Sequence, residues 1–524
     1  MNYLNVALSL FTPEILGLIL LGVVMGIIFG AIPGLNTPIA IALVLPFTYS
    51  MDVLPSMALI LGIYMGGISG GLITAILLKI PGTVSSVATT LDGYPMAQSG
   101  RAAEALAIGT FSSFVGGILS CIALMFISPL LSKVALAFGA WEYFGAAFLA
   151  LSFVCVLMDG KVVKGFIAVF IGLLLSTVGV SPIDGSVFRF TFGNMSLSAG
   201  FDMIAVILGA FALPEMFRTA GKIREQVIPT KFRKRWFYLP RLEDIKGEVV
   251  NFVRSAVIGI FVGILPGMGP SAAGMVAYSQ AKKSSKHPEK FGTGCVSGLV
   301  ASETSNNAVT GGALIPMLVL SIPGDTSTAV ILGALMIQGI TCGPLLVINS
   351  PDLFKAVVVI AILANIFMFV VQSSTIRLTS KIIQVPRYLL LPLIVVFCTV
   401  GAFTINNRVF DLYAVLLFAV LGYILEENDY PLMPMVLAFV LGNMTEYNFR
   451  RTIMYYGSIG QAFTSFSVGT VLVGLGIILL VSGVIRDIPA VAAKRAAHKA
   501  AKAQKAAAVE AAEASAGTDN TSEN

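Results

Sequence analysis

Residues 15–34, ILGLILLGVVMGIIFGAIPG, are long and apolar enough to cross a bilayer, and they end in a Pro-Gly pair. A membrane helix needs about 20 mostly apolar residues. Proline removes a backbone donor, and a freed backbone group inside hydrocarbon is costly unless protein or water satisfies it. The stretch therefore predicts a membrane helix that breaks where it is buried in protein or faces a wet cavity.

Two glycine- and proline-containing motifs each occur twice along the chain, in the same order and at nearly equal spacing. The matched copies are GAIPG at 30–34 with GILPG at 263–267, and a Gly-Gly pair followed by IPG at 70–82 and again at 311–324. Corresponding breaks in two halves are typical of transporters, whose sites lie between repeats near the bilayer midplane. Equivalent loops differ sharply in Lys content, which favours opposite sides of the membrane and hence an inverted repeat.

The composition excludes a soluble fold. Of 524 residues, 56% are hydrophobic and 11% are charged, whereas soluble domains carry roughly 25% charged residues. We expect an all-α polytopic membrane protein with about 11–12 transmembrane helices, arranged as two inverted repeats with broken or re-entrant helices.

The basic residues are concentrated between the apolar runs and in the tail. We therefore divide the chain into a first transmembrane repeat at 1–217, a basic linker at 218–248, a second repeat with additional C-terminal helices at 249–488 and a disordered tail at 489–524. The positive-inside rule predicts that the linker and the C-terminus are cytoplasmic. We expect the chain to lie in a bacterial inner membrane. This distribution argues against nucleic-acid binding.

The residues needed for enzymatic chemistry are sparse. His287 and His498, the two histidines, lie in a Lys-rich loop and in the tail, and the five cysteines form no C-x-x-C pair. Nucleophilic or metal chemistry at membrane depth would therefore have no histidine to use. We expect no enzyme activity and no cofactor.

Small polar side chains follow each break and are candidate contacts for a transported solute. If that solute is an anion, hydroxyls and helix N-termini can compensate its charge after it has left water. The candidate substrate-binding residues are Lys79, Gly82, Thr83, Ser85, Ser86, Gly324, Thr326, Ser327 and Thr328. For Lys79 the alternative is a side chain that snorkels to the membrane interface.

Oxygen-bearing side chains near the breaks are candidate ligands of a coupling cation, Na+ or H+. Carboxylates inside a membrane are expensive, so they are functional candidates by default. The candidate ion-binding residues are Asn36, Thr37, Glu303, Asn306, Asn307 and Asp325. Asp92 is a further candidate, with capping of the turn at 93–95 as its structural alternative.

At these motifs the chain resembles a known family, the large membrane subunit of tripartite tricarboxylate transporters (TctA family). The resemblance runs from about Leu16 to Ile485 and is most specific at Ile80–Gly100, Lys286–Gly294 and Glu303–Pro344. It implies import of citrate or a similar di- or tricarboxylate, driven by an ion gradient that is usually of sodium. It also implies a small membrane subunit and a periplasmic solute-binding protein as partners. A stand-alone secondary carboxylate carrier is the alternative.

Overall fold

The computed structural model describes residues 2–32, 35–156, 161–214, 236–382, 395–396, 399–400, 402–403 and 406–487. Within these ranges the elements are helical apart from one antiparallel pair of short strands, β1 (Gly179–Val180) and β2 (Phe188–Arg189). The predicted all-α fold class is confirmed.

The α-helices of the described ranges begin and end as follows, in chain order: α1 Tyr3–Leu10, α2 Pro13–Ala31, α3 Thr37–Thr48, α4 Val53–Gly70, α5 Leu72–Leu78, α6 Thr89–Met96, α7 Ala102–Ala135, α8 Ala140–Val156, α9 Val162–Ser176, α10 Met203–Ile207, α11 Leu242–Ile245, α12 Val249–Ile264, α13 Gly269–Ser284, α14 Val296–Leu320, α15 Thr326–Ile337, α16 Pro344–Asn349, α17 Pro351–Ile382, α18 Val409–Glu427, α19 Leu432–Tyr456, α20 Ile459–Thr464 and α21 Val468–Asp487. Short 3-10 turns lie at Val84–Ser86, Met195–Leu197 and Pro288–Lys290, and π-helical turns at Ala97–Arg101 and Leu208–Ala212.

Six helical segments of the described chain are long and apolar enough to cross a membrane: Pro13–Ala31, Val53–Leu78, Thr89–Ala135, Pro351–Leu378, Val409–Glu427 and Val468–Asp487. Five more apolar helices have 10–17 residues: Thr37–Thr48, Ala140–Val156, Val162–Ser176, Val249–Ile264 and Thr326–Ile337. The chain is a multi-pass membrane protein. The total number of spans stays a prediction, because a short helix can cross only as part of a broken span.

Glycines bring α2 and α4 into backbone contact. A Cβ added at Gly26 would lie 2.4 Å from the Ile63 carbonyl oxygen, and one added at Gly66 would lie 2.5 Å from the Val23 carbonyl oxygen. The same holds one turn away in both directions, at Gly22, Gly30, Gly62 and Gly70. Small residues four apart allow helices to approach this closely inside a membrane, where dispersion and shape replace the hydrophobic effect.

The second half repeats this contact between α12 and α14. A Cβ added at Gly259 would lie 2.3 Å from the Ser305 carbonyl oxygen, and one added at Gly312 would lie 2.6 Å from the Ile260 carbonyl oxygen. In each half, the helix that leads to the Pro-Gly pair (α2 or α12) thus packs against the glycine-bearing helix that comes before the IPG in the chain (α4 or α14). The repeated motifs of the sequence therefore correspond to a repeated helix contact, α2 with α4 and α12 with α14.

The two halves exchange helices rather than standing side by side. Helix α7 of the first half packs along α14 of the second, and α17 of the second half packs along α4 of the first. A Cβ added at Gly116 would lie 2.1 Å from the Thr304 carbonyl oxygen, and Ser69 hydrogen-bonds Gln372 at 2.7 Å. The exchange extends to the breaks, because α3 contacts α15 and α13 contacts the turn Val84–Ser86.

The apolar runs Leu432–Gly442 and Thr328–Ile348 each predict one membrane span from the sequence, and both boundaries are wrong. The short span expected at Leu432–Gly442 is the first part of α19, which continues to Tyr456 because its polar residues find partners. The Thr445 hydroxyl donates to the Leu441 carbonyl at 2.8 Å, and Arg189 pairs with Glu446 at 2.5 Å. The single span expected over 328–348 is divided into α15 and α16, with glycines at positive φ between them.

Some sequence predictions concern residues outside the described ranges. They include the first Pro-Gly pair at 33–34, residues 218–235 of the linker and the whole tail at 489–524. The apolar run at 388–403 also predicts a span, and most of it lies outside the described ranges. The expected cytoplasmic position of the linker and tail stays a prediction.

Gly26→Ala is expected to lower the thermal stability of the purified protein, because the added Cβ forces α2 away from α4. Overpacking of this kind costs about 1–3 kcal/mol. Gly17→Ala is the matched control, since the same helix has nothing within 4 Å of a Cβ at that position. Equal unfolding temperatures for the two variants in detergent would contradict the glycine contact.

Candidate functional site

The two IPG segments adopt the same backbone path. Helix α5 ends at Lys79, with φ 59° and ψ 18°, and α14 ends at Ser321, with φ 58° and ψ 25°. Left-handed backbone costs a residue with a Cβ about 1–2 kcal/mol, and the proline two positions later cannot continue the helix. A left-handed residue followed by proline therefore ends a helix at each copy of the motif.

The glycine of each IPG lies against the end of the partner helix in its own half. A Cβ added at Gly82 would lie 2.3 Å from the Gly30 carbonyl oxygen, and one added at Gly324 would lie 2.5 Å from the Gly263 carbonyl oxygen. In the second half, the Gly267 N–H also donates to the Gly324 carbonyl at 2.8 Å. In each half, the glycine of the IPG therefore packs against the last turns of the helix that begins the other motif.

The second break opens directly into α15 through a capping box. Asp325 Oδ1 accepts from the Thr328 N–H at 2.7 Å, and the Thr328 hydroxyl accepts from the Asp325 N–H at 2.9 Å. Asp325 Oδ2 accepts from the Tyr64 hydroxyl, on α4 of the first half, at 3.0 Å. The buried carboxylate thus fixes the start of α15 and ties it to the other half. Beside it, Ser327 is buried and Thr326 is half-buried.

The first break carries hydroxyls where the second carries a carboxylate. Thr83 precedes the turn Val84–Ser86 as Asp325 precedes α15, and Thr83 Oγ1 lies 2.5 Å from Ser85 Oγ. The Ser86 hydroxyl donates to the Thr83 carbonyl at 2.9 Å, as the Thr328 hydroxyl does to the Asp325 carbonyl. The two copies share a geometry and differ in charge.

Two buried hydroxyls beside the first break have no hydrogen-bond partner in the described structure, those of Thr37 and Thr74. Thr74 Oγ1 lies 2.5 Å from the position of a Cβ on Gly82, and Thr37 Oγ1 lies 2.6 Å from that of a Cβ on Gly67. Asn36, by contrast, caps α3 by accepting from the Ile39 N–H at 3.1 Å. Unpaired buried hydroxyls cost free energy, so a ligand that uses them would be stabilised.

Helix α4 places the two breaks near one another. Tyr64 holds the second break, whereas Gly71, the residue between α4 and α5, lies against Thr83 and Ser86 of the first. The two positions are seven residues apart and therefore lie on one face of the helical segment Val53–Leu78. At 1.5 Å per residue the two contacts are separated by about 10 Å along α4.

A second polar cluster surrounds Glu303, which has no exposed surface. Thr89 on α6 donates to Oε1, and Ser113 on α7 donates to Oε2 at 2.9 Å. Asn307 Nδ2 donates to the Glu303 carbonyl at 3.1 Å and lies 3.4 Å from Oε2. Asn306, on the next turn of α14, is fully buried, and neither amide atom meets hydrogen-bond geometry with a described group. The cluster offers oxygen ligands around one buried carboxylate.

Asp92 has a structural position that differs from the expected turn cap. Its Oδ1 accepts three backbone N–H groups from the other half, those of Gly292, Gly294 and Cys295, at 2.9, 2.8 and 2.7 Å. Cys295 is the N-cap residue of α14, so the carboxylate sits where unpaired N–H groups and the positive helix end favour an anion. The expectation that Asp92 caps residues 93–95 is wrong, because those residues continue α6.

Lys79 is exposed, and its ammonium lies 5.7 Å from the centre of the Tyr94 ring. It is therefore placed at the rim of the first break rather than among the buried hydroxyls. The sequence missed Tyr64, Thr74, Thr89 and Ser113. Uncharged polar residues of these types recur throughout the helices of this chain, so only the packing of distant helices gives these four a role.

Comparison with known proteins shows the family to which the chain belongs. The family model described as the tripartite tricarboxylate transporter TctA family matches residues 16–437, and the chain belongs to this family. This is a family of membrane transporters.

Two relatives come from Agrobacterium vitis. The chain is 35% identical over 475 residues to an uncharacterized 52.8 kDa protein in the TAR-I ttuC' 3' region, which covers 90% of this chain and 93% of that relative. It is 33% identical over 237 residues to an uncharacterized protein in the TAR-II ttuC' 3' region, covering 45% of this chain and 97% of that relative. No solved structure matches the chain.

Asp92→Asn is expected to loosen the loop before α14, because a neutral amide oxygen accepts three N–H groups more weakly than a carboxylate. The readout is the rate at which a maleimide labels Cys295, followed by peptide mass spectrometry, and we expect it to rise. Asp52→Asn is the control, since Asp52 is an exposed N-cap that makes no side-chain capping bond. An unchanged Cys295 rate would show that the loop does not depend on this carboxylate.

Proposed function

We propose that this chain is the large membrane subunit of an ion-gradient-driven importer of di- or tricarboxylates such as citrate. Membership of the TctA family supports the transporter class. The observation that carries the proposal is the pair of matched helix breaks, each held by elements of the opposite half. Breaks of this kind inside a membrane bundle are tolerated where they line a substrate path.

The carboxylate substrate is held at the first break. Its neutral hydroxyls on Thr83, Ser85 and Ser86 can donate to an anion without repelling it. The second break is less suitable for direct anion binding, because Asp325 already occupies the N-terminus of α15 with negative charge. Ser327 and the half-buried Thr326 complete the substrate site from that side. The separation of about 10 Å along α4 suits a small di- or tricarboxylate.

The coupling cation is held by the carboxylates. Asp325 faces the substrate site and would repel a carboxylate unless a cation lay between them. Glu303 supplies a second buried negative charge, surrounded by Thr89, Ser113 and the buried amide of Asn306. Sodium fits an environment of hydroxyl, amide and carboxylate oxygens, so Na+ is the proposed coupling ion and H+ the alternative.

The proposed partners are a small membrane subunit and a periplasmic solute-binding protein that delivers the substrate, and membership of the family supports them. The proposed location is the bacterial inner membrane, with the basic linker and the C-terminus in the cytoplasm. The alternative is a stand-alone secondary carboxylate carrier. Sodium-driven citrate uptake by the chain alone in liposomes would favour that alternative.

Uptake of a panel of labelled di- and tricarboxylates tests both assignments in one experiment. Ser85→Ala is expected to raise the substrate KM roughly tenfold or more, because it removes a hydrogen bond to a charged group. Asp325→Asn, whose amide still caps α15, is expected to raise the sodium concentration for half-maximal uptake. Glu303→Gln preserves side-chain volume and is expected to act on sodium dependence in the same way.

Glu104→Gln serves as the control, because Glu104 pairs with Arg101 at the surface and lies outside both clusters. Membrane abundance is measured for each variant so that loss of protein is separated from loss of transport. Unchanged sodium dependence in both Asp325→Asn and Glu303→Gln would contradict the cation assignment. An unchanged KM in Ser85→Ala would contradict the substrate assignment.

A further inference from the structure

A cavity of about 580 Å³ lies between α8, α9, α19 and α21, on a different set of helices from the breaks. Its walls are aromatic and aliphatic, with polar side chains confined to a few positions. The lining includes Phe144, Phe148, Phe166, Phe170, Phe449 and Leu173. A carboxylate in this space would lose its hydration without compensation, so the cavity does not serve the transported substrate.

Glycine contacts on either side of the cavity fix its walls. On α21, glycines seven residues apart contact α8, with Gly469 against Trp141 and Gly476 against Phe148. On the other side, a Cβ added at Gly172 of α9 would lie 2.0 Å from the Met435 carbonyl oxygen of α19. The cavity is the space between two tightly packed helix pairs, so it is part of the fold.

The cavity faces the apolar outer surface. Phe166 and Phe170 line it and are 41% and 56% exposed, and the residues beside them on α9, including Ile167 and Leu174, are exposed and apolar as well. Exposed apolar surface of this extent on a multi-pass membrane protein is covered by lipid chains.

A cluster of charges lies at one end of the cavity. Glu446 lines it and pairs with Arg189 at 2.5 Å and Arg450 at 3.1 Å, and Arg450 also pairs with Asp184 at 2.9 Å, so a phosphate there competes with these carboxylates for the two guanidinium groups. Two further nitrogens of Arg189, Nε and Nη2, are buried without a partner among the described residues. Exposed Tyr447 and Tyr455 follow on α19, and tyrosines of this kind mark the level of lipid headgroups.

We propose that this cavity binds one acyl chain of a membrane phospholipid, whose phosphate lies at Arg189 and Arg450. Arginine matches phosphate through its planar array of donors. A transmembrane helix of a partner is a poorer fit. An α-helix with side chains is about 10 Å across, so each turn would need roughly 400 Å³ and a span needs several turns. The assignment is independent of the proposed transport function.

Leu173→Trp tests the cavity, because the larger side chain fills it from α9. Leu174→Trp is the matched control, since the neighbouring residue is 59% exposed and does not line the cavity. The full chain is stripped of lipid in detergent and titrated with dioleoyl phosphatidylglycerol, and bound lipid is counted by native mass spectrometry. We expect one high-affinity lipid on the parent and the control and at least roughly tenfold weaker binding by Leu173→Trp, because displacing even two methylenes has that effect. Equal binding by the two tryptophan variants would overturn the proposal.

Dioleoylglycerol, which lacks phosphate, separates the headgroup from the chain. Arg450→Gln is expected to reduce phosphatidylglycerol binding to the level of dioleoylglycerol; no effect on either lipid would overturn the headgroup assignment. Loss of a co-purifying membrane protein in Leu173→Trp, with lipid binding retained, would instead show a protein interface and overturn the proposal.

A second measurement detects the lipid without substituting any residue that lines the cavity. Trp141 stacks on the cavity residue Phe144 with ring centres 5.6 Å apart, and Trp236→Phe makes it the sole tryptophan. Phospholipid with brominated chains is expected to quench its fluorescence saturably at one lipid per chain. Quenching that rises only in proportion to the brominated fraction would indicate bulk lipid and contradict a site.

Discussion

The backbone contact between glycine-bearing helices is the constraint on which the rest of the structure depends. In the first half, α2 is in van der Waals contact with α4, and in the second half α12 is in van der Waals contact with α14. The contact is possible because glycines leave both helices without a side chain at the crossing. This contact places the carbonyls of Gly30 and Gly263 against Gly82 and Gly324. A displaced helix pair would separate the two breaks of its half and expose backbone groups to hydrocarbon, where they have no partner.

The exchange of helices between halves converts two similar units into one site. Asp325 begins α15 yet bonds to Tyr64 of the other half, and Glu303 of α14 receives its hydrogen bonds from Thr89 and Ser113 of the first half. The copies nevertheless differ in charge, since Thr83 stands where Asp325 stands in the second half. The two copies therefore offer different chemistry, neutral hydroxyls at one and a carboxylate at the other.

The sequence predicts the breaks and the polar residues immediately beside them, because Pro-Gly pairs and carboxylates inside apolar runs are visible without structure. Asp325, Glu303 and Thr83 were found this way. It could not predict Tyr64 or Thr74, which become relevant only when distant helices pack together. Nor could it predict the role of Asp92, whose three donors lie in the other half. The length of α19 was underestimated because the partner of Glu446 is Arg189, far away in the chain.

The most direct test of the central claim is a cryo-electron microscopy structure of the protein in lipid nanodiscs with saturating sodium and the carboxylate selected by the uptake panel. The account predicts substrate density between the hydroxyls of Thr83 and Ser85 on one side and Ser327 on the other, contacting both halves of the chain. Substrate density that contacts one half alone, or that lies away from both breaks, would contradict it.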